Sequence, residues 1–436
     1  VPALLPPEDL GLSTLFLDLN SYFASVEQNE NPSLMGKPVA VLPTMTDATC
    51  AIAASYEAKA YGVKTGTPIY EAKKLCPQLT CVLARHDKYV EYHHKILAAT
   101  EKHIPVSKIW SIDEFHCDLM GREKQEQNAR ALAAAIKRQI AQDVGPAVRC
   151  SIGISSNSFL AKVATDMQKP DGLIILPPET LPGKLLDLAL TDLPGINLRM
   201  QDRLLRARIR TVEDFWNTTP KQARAIWGGV LGERFWYWLH GYNPPHILTH
   251  TSMVGHSRVL DPAMRTPEKA RLMARRLLYK AVLRLRRTEF QATRLSFSVR
   301  FLDGTRWADE TSFAAAKDIF TIMDLFDAQW EAMCHKLFRR ASKDMPDRLL
   351  CKKVSVILHG LVQTGTITGD LFRTEMESEK LQHKKRESLS RALEALNKKY
   401  HKDAVSIGII PKTLSGHVGT KIAFSRVPDM DEFTEG

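Results

Sequence analysis

Between residues 14 and 176, short apolar segments alternate with segments of helical period, and this alternation constrains the fold more than any other feature. Thr14–Leu17 reads as a buried strand with Asp18 at its end, and a helix follows over Ser21–Gln28. Lys37–Leu42 reads as a second strand. Ala51–Leu75 is mostly helical, with a break at Gly62–Pro68. A helix over Lys88–Lys102 precedes a strand over Lys108–Leu119. Ala129–Gln142 is helical with one apolar face. Val148–Ile154 and Leu173–Leu176 are strands flanking a helix at Asn157–Met167. Strands and helices mixed in this way predict an α/β or α+β domain built on a sheet.

The chain then changes character. Pro177–Pro182 breaks the pattern, short helices run to Tyr242, and Asn243–Pro245 marks another boundary. Pro267–Arg287 has the period of a long amphipathic helix. Over Ala292–Phe301 the residues alternate: Thr293, Leu295, Phe297, Val299 and Phe301 share one face, and Arg294, Ser296, Ser298 and Arg300 the other. Asp303–Gly304 supplies a hairpin turn. A helix over Asp318–Arg339 and a strand over Lys353–Leu358 complete a small α+β domain. Gln363–Lys384 reads as a polar tether before a helix near Glu387–Tyr400. A chain of 436 residues has room for three or four such domains.

Charge divides along the same line. The formal net charge is +11, yet residues 1–180 hold 18 basic against 20 acidic residues, and residues 181–436 hold 42 against 29. A near-neutral first part and a basic second part suggest chemistry in one and polyanion binding in the other. No apolar run reaches the ~18 residues of a membrane span. The N-terminal residues lack the basic and apolar segments of a secretion signal. The seven cysteines are scattered with no CxxC pair, so neither structural zinc nor a disulfide framework is expected, and a reducing cytoplasm fits.

Several constellations carry chemistry. Asp18 ends an apolar strand, and Trp110-Ser-Ile-Asp113-Glu114 again runs apolar chain into acid. Three carboxylates on neighbouring strands can hold two hard cations such as Mg²⁺. Adjacent residues on an ideal strand face opposite ways, so Asp113 and Glu114 share a site only if the strand bends or ends there. Lys162 lies in the first turns of a helix opened by small polar residues, a setting that suits phosphate. Tyr56 and Lys59 share a helix face. Leu193–Ile196 and Ile209–Phe215, with Arg199, Arg203, Arg206, Arg208 and Arg210, suggest two short helices around a glycine turn. Arg294 and Arg300 flank two serines, and Arg271, Arg275, Arg276, Lys280, Arg284, Arg286 and Arg287 stud the long helix as candidate phosphate contacts. Singly, each also reads as a solvated acid, a surface cation or an ordinary helical hairpin.

In combination and in order, these segments resemble the Y-family translesion DNA polymerases over residues 13–360. The resemblance rests on Asp18-Leu-Asn-Ser-Tyr-Phe-Ala-Ser-Val-Glu27, Lys37–Leu42, Tyr56-Glu-Ala-Lys-Ala-Tyr-Gly-Val63, Ser111-Ile-Asp-Glu114, and Gly153-Ile-Ser155 with Lys162. Within the family, Cys117-Asp-Leu119 and the opening motifs resemble the catalytic subunit of bacterial DNA polymerase V. Tyr56 resembles the DNA polymerase IV group.

The resemblance implies an α+β right-hand polymerase. Its parts would be a palm (1–18 and 85–177), fingers (19–84), a helical thumb with a helix-hairpin-helix-like motif (178–245), a C-terminal little finger (246–362) and a tether and tail (363–436). It implies low-fidelity, template-directed transfer of nucleotides from dNTPs to a primer, with two Mg²⁺ ions, or Mn²⁺ in their place. Asp18, Asp113 and Glu114 match the catalytic, metal-binding acids, and Leu19 the main-chain oxygen ligand. Tyr22, Phe23, Tyr56, Lys59 and Lys162 match the dNTP-binding positions, Phe23 as the steric gate against a 2′-hydroxyl. Gly195, Arg199, Arg258, Arg294 and Arg300 are the DNA-binding candidates. Thr368-Gly-Asp370-Leu371-Phe372 resembles a degenerate sliding-clamp peptide. Primer-template DNA, the clamp and accessory subunits are thus the expected partners, in a bacterial cytoplasm and at the nucleoid. This sequence departs from the family at Asn20, often aspartate, at Lys59, often arginine, at Phe115 and His116, and at Asn197 and Arg208, often glycine. A non-catalytic, DNA-binding member of the family and a two-metal nuclease remain as alternatives; retention of all three acids argues against the former.

Overall fold

The structure, a computed structural model, describes residues 10–245, 252–338, 350–364, 377–400, 404–405, 407–408, 427–430 and 433. The chain divides into two compact units, Val1–Ile247 with Lys421–Met430, and Leu248–Thr420 with Asp431–Gly436.

In the first unit, β1 (Thr14–Leu19) turns into α1 (Tyr22–Glu30). Next come β2 (Val39–Leu42), β3 (Ala53–Ala54), α2 (Tyr56–Ala60), α3 (Ile69–Leu75) and β4 (Thr80–Leu83). After them run α4 (His86–Glu101), β5 (Lys108–Ile109), β6 (Glu114–Asp118), α5 (Glu126–Asp143), β7 (Cys150–Ser155), α6 (Ser158–Met167) and β8 (Leu173–Ile175). Four helices close the unit: α7 (Leu198–Arg206), α8 (Val212–Trp216), α9 (Pro220–Trp227) and α10 (Val230–Leu239). The main sheet has the order β5-β6-β1-β7-β8, and a small sheet has the order β3-β2-β4. All six residues of β1 are buried, as a strand covered on both faces requires.

Helix α6 lies close on β1 and β7. Its apolar face buries Leu160, Ala161, Val163 and Ala164. The close approach depends on Gly153 of β7, where a Cβ would overlap the Ala161 carbonyl. The helix also shares a core with α7–α10, in which Leu160 and Val163 join Leu193, Leu204, Phe215 and Phe235. Asn157 caps α6 through the Leu160 N–H, and its amide donates to the carbonyls of Trp238 and Tyr242 at 2.9 Å each.

Three local expectations change. The strand expected over Lys108–Leu119 is a hairpin, β5 and β6 paired antiparallel. The N–H groups of Trp110 and Ser111 both donate to the Glu114 carbonyl, at 2.9 and 3.1 Å, which closes the chain into a tight turn. The segment Ala51–Leu75 opens with β3 instead of helix, while the expected break at Gly62–Pro68 does separate α2 from α3. β4, a four-residue strand with no alternation, completes the small sheet.

The second unit contains β9 (Met253–Val259), α11 (Pro267–Arg286), β10 (Phe290–Phe301), β11 (Arg306–Ala316), α12 (Ile319–Phe338), β12 (Cys351–His359), β13 (Val362–Gln363) and α13 (Glu377–Tyr400). Its sheet has the order β11-β10-β12-β9, with β13 beside β10. Leu295, Phe297, Val299 and Phe301 of β10 point into the core, as their alternation predicts, and each stabilises the fold by about 1.5–3 kcal/mol. Thr293 does not join them. A register shift between Ala292 and Arg294 turns Ala292 inward instead, and Thr293 donates to the Gly360 carbonyl at 2.8 Å.

The tether is also shorter than expected, because α13 begins at Glu377. Leu393 enters the core, and Ser390 accepts the N–H of Ile319 at 3.1 Å. This helix and α12 explain why much of the basic face of α11 faces protein. Arg286, whose side chain is 5% exposed, forks onto Glu387 and Glu394. Arg271 and Arg275 both hold Asp327, and Arg276 is buried.

Candidate active site

The hairpin at residues 110–113 resolves how two adjacent acids share one site. Glu114 is the first residue of β6, directly opposite Asp18 of β1, and Asp113 sits in the bend before it. The Ser111 hydroxyl donates to Asp113 Oδ1 at 2.6 Å and approaches Glu114 Oε2 at 3.4 Å. The Leu19 N–H donates to the Asp113 carbonyl at 2.9 Å, tying the bend to β1. From α4, buried His93 donates Nδ1–H to the Ile112 carbonyl at 2.7 Å. Burial depresses this imidazole to about 4, so it is neutral near pH 7.

Cations face the acids. Lys162 Nζ bridges Asp18 Oδ2 and Glu114 Oε1, the latter at 2.8 Å. Lys169, two residues beyond α6, reaches Asp18 Oδ1 at 2.9 Å and Asp166 at 2.6 Å. Burial alone would raise Asp18, but Lys162 and Lys169 outweigh it and hold the carboxyl below its usual range. Asp113 and Glu114 are raised, chiefly by burial. For Lys162, the same acids outweigh burial and push the ammonium well above the lysine range.

Two of the dNTP candidates, Tyr56 and Lys59, lie within electrostatic reach of Asp18 and Lys169. Lys59 Nζ lies over the Tyr56 ring at 4.4 Å. Burial, and then repulsion from Lys169, lowers Lys59. Burial raises Tyr56, with Lys169 and Asp18 as the next influences. Ser21, at φ 48°, turns the chain into α1, whose N-terminus has no side-chain cap. Tyr22 and Phe23 supply the first N–H groups of this helix, an end where the helix dipole is positive. The Tyr22 side chain points inward and its hydroxyl donates to the Tyr89 carbonyl at 2.6 Å. Phe23 stacks on Tyr89 with ring centroids 4.2 Å apart.

A cleft of about 350 Å³ is lined by Lys162, Asp166 and the turn from Thr191 to Asn197. Gly195, at φ 97°, forms that turn, and Asn197 caps α7 by accepting the Met200 N–H. Arg199 is exposed. Arg208 adopts φ 64°, a left-handed conformation that favours glycine.

In the second unit, Arg300 stands between Arg306 and Lys353 on neighbouring strands, a row of three cations beside the small row Ala308, Ser298 and Ser355. Arg294 is exposed but pairs with Glu310 at 3.5 Å, and Glu310 also meets His359 at 3.2 Å. Arg258 is largely covered and pairs with Asp261 at 3.7 Å. Asp370, Leu371 and Phe372 lie outside the described residues.

Sequence reasoning missed Lys169, Asp166, Ser111 and His93. The spacing Lys162, Asp166, Lys169 (i, i+4, i+7) was the available signal for two of them. Asn20 has a structural role. Its amide donates to Ser151 Oγ at 3.1 Å and accepts the Asp171 N–H at 2.7 Å, which pins the segment carrying Lys169 beside β1.

Comparison with known proteins bears on the family and the fold. A model of the impB/mucB/samB family matches residues 17–166, and a model of that family's C-terminal domain matches residues 251–371. DNA polymerase IV of Moorella thermoacetica is 36% identical over 279 residues, 61% of this chain and 69% of that one. DNA polymerase IV of Bacillus velezensis is 30% identical over 330 residues, 72% of this chain and 77% of that one. Among solved structures, a Y-family DNA polymerase chimera built largely on Dbh superposes with a TM-score of 0.67 at 22% identity, covering 80% of this chain and 99% of that one. An insertion ternary complex of Dbh DNA polymerase superposes with a TM-score of 0.52 at 23% identity and the same coverage. The fold is thus the α+β polymerase fold with a C-terminal little finger domain, and the molecule is a DNA-directed DNA polymerase. The chain belongs to the Y-family of translesion DNA polymerases, the impB/mucB/samB family.

Proposed function

We propose that the first unit transfers nucleotides from dNTPs to a primer 3′-hydroxyl at a two-metal site formed by Asp18, Asp113, Glu114 and the Leu19 carbonyl. The observation that carries this reading is the cross-strand pair Asp18–Glu114, which already shares one cation, the Lys162 ammonium. Among the described residues no three His, Cys, Asp or Glu side chains close around one point. Mg²⁺ takes one or two carboxylates and completes its octahedron with water and substrate phosphates. When bound, the two ions lower the pKa of the attacking hydroxyl and stabilise the departing pyrophosphate. The chain supplies the rest. Lys59, Tyr56, Lys162 and the N-terminus of α1 hold the triphosphate. The Phe23 ring, backed by Tyr89, lies beneath the sugar and excludes a 2′-hydroxyl.

On this reading, residues 1–18 and 85–177 form the palm, 19–84 the fingers, 178–245 the thumb and 246–362 the little finger. The α13 helix extends the last of these. The fingers, built on a three-stranded sheet, enclose the nascent base pair loosely, which supports low fidelity and lesion bypass. DNA phosphates meet Gly195 and Arg199 in the thumb. In the little finger they meet Arg300 with Arg306 and Lys353, and Arg294 once it leaves Glu310. Arg258 contributes only after release from Asp261. A sliding clamp and accessory subunits remain candidate partners through the C-terminal segment. Among the described residues no helix is long and apolar enough to cross a membrane. Work at the nucleoid in the cytoplasm follows from the proposed substrate.

Primer extension with Mg²⁺ tests the site. Wild-type protein extends a primer on a template, and Asp113→Ala does not; extension that persists in this variant removes the proposed site. Degradation of labelled DNA without dNTPs would instead favour a nuclease, a reading that leaves Phe23 and the triphosphate cations without a task.

A further inference from the structure

A ring cluster beside the acids has no part in the function assigned above. Trp110 follows β5 into the bend, and His116 lies on β6, the arm that leaves it. The Trp110 indole N–H donates to His116 Nδ1 at 2.8 Å, from one arm of the hairpin to the other. Because His116 accepts through Nδ1, its own proton sits on Nε2, toward Asp118 at 3.8 Å. The pair is shielded, and His116 is only 7% exposed. Lys108, opposite His116 on β5, lays Nζ over the indole at 3.8 Å from the ring centroid. Phe16, opposite His116 on β1, tilts against both rings with centroids 6.4 and 6.3 Å away. Residues two apart on a strand share a face, so Phe16 and His116 stand on the face of Asp18 and Glu114, one pleat away.

The backbone closes the bend on one acceptor, the Glu114 carbonyl, which receives the N–H groups of Trp110 and Ser111. The indole–imidazole bond is a second closure, made by side chains. We propose that Trp110 and His116 are positioning residues whose bond clasps the hairpin and fixes the spacing of Asp113 and Glu114 as ligands of the divalent ions. This rests on the metal-site reading above. Asp113 and Glu114 both lie in the chain between Trp110 and His116, so slack in the clasp moves one acid against the other. Tyr56 and Lys59 lie on α2, outside the clasped segment, and keep their places.

The clasp predicts a loss confined to metal binding and turnover. Trp110→Phe keeps a ring beside Phe16 and Lys108 but has no N–H. Mn²⁺ titration of the full chain, followed by electron paramagnetic resonance without dNTP, should show about tenfold weaker binding, and kcat for primer extension in Mg²⁺ should fall about tenfold, the lower end of the usual loss when a group that orients metal ligands is removed. KM for dNTP should not change. His116→Leu should match Trp110→Phe, and the double variant should lose no more than either, because the bond is already broken. His116→Asn, whose amide oxygen can stand where Nδ1 stood, should restore both values toward wild type. A histidine that serves packing only would treat Asn and Leu alike. Equal losses in those two variants at a temperature where both are folded, or unchanged Mn²⁺ affinity in Trp110→Phe, overturn the proposal. Asp113→Ala is the control: if it binds Mn²⁺ as wild type does, the metal-site reading itself fails.

Discussion

The molecule contains two shielded ion networks built on opposite plans. In the first unit, Lys162 and Lys169 face Asp18, Glu114 and Asp166 at the edge of a cleft. In the second, Arg286 grips Glu387 and Glu394 beneath α13. Lysine is a compact charge on a flexible stem and can change partners, whereas the arginine fork fixes geometry. In the proposed two-metal reading, the Lys162 network gives way to a better cation. The other fastens a helix permanently.

The sharpest way to break the comparison is Lys162→Met. Extension should slow by about 10²–10³-fold, the usual loss when one group stabilising a developing charge is removed. The apo protein should also melt lower because Asp18 and Glu114 then repel, and Mg²⁺ should restore much of that loss. A melting loss that Mg²⁺ cannot repair would mean that the first network is as permanent as the second.

The next effect concerns the turn that carries the acids. His93 is protonated near pH 6.5 when unfolded but only near 4 in the fold, so the unfolded chain binds the extra proton first. Its contribution is therefore complete above pH 6.5 and is lost as pH falls toward 4. The loss is on the order of 3 kcal/mol, read from urea midpoints across that window. His93→Gln should flatten this slope.

Arg286→Met should cost about 2–3 kcal/mol, below the 3–5 of a fully buried pair because Glu394 is partly exposed. Mg²⁺ should not restore it, and the rate of nucleotide addition should hold under conditions where the variant is folded. Arg286→Lys should cost about 1 kcal/mol, because the charge stays and the fork is lost. Equal losses for the two variants would show that charge, not geometry, fastens α13.

What could be read from sequence follows the same division. Asp18, Asp113, Glu114 and Lys162, which the structure brings together, were legible from the combination of short motifs in order, each being ambiguous alone. The turn at 110–113 was not, since both arms of the hairpin read as one apolar strand and the closing bonds are between backbone groups. Lys169 was hidden because its position depends on Asn20, about 150 residues away in the chain, gripping Asp171. The arginines of α11 were misjudged for a related reason. Their partners lie on α12 and on a helix begun inside a segment that reads as tether, and helical period alone does not tell a solvent-facing cation from one facing protein.

Gly153 carries no charge, yet it acts as the spacer that seats α6 against the sheet. The reach of a lysine is fixed by its stem, so the height of α6 above the sheet decides whether its ammonium meets the acids or misses them. That height is set by a hydrogen where other residues have a methyl group. The calibration of the polymerase's charges is thus stored in the thickness of a contact between a helix and a strand.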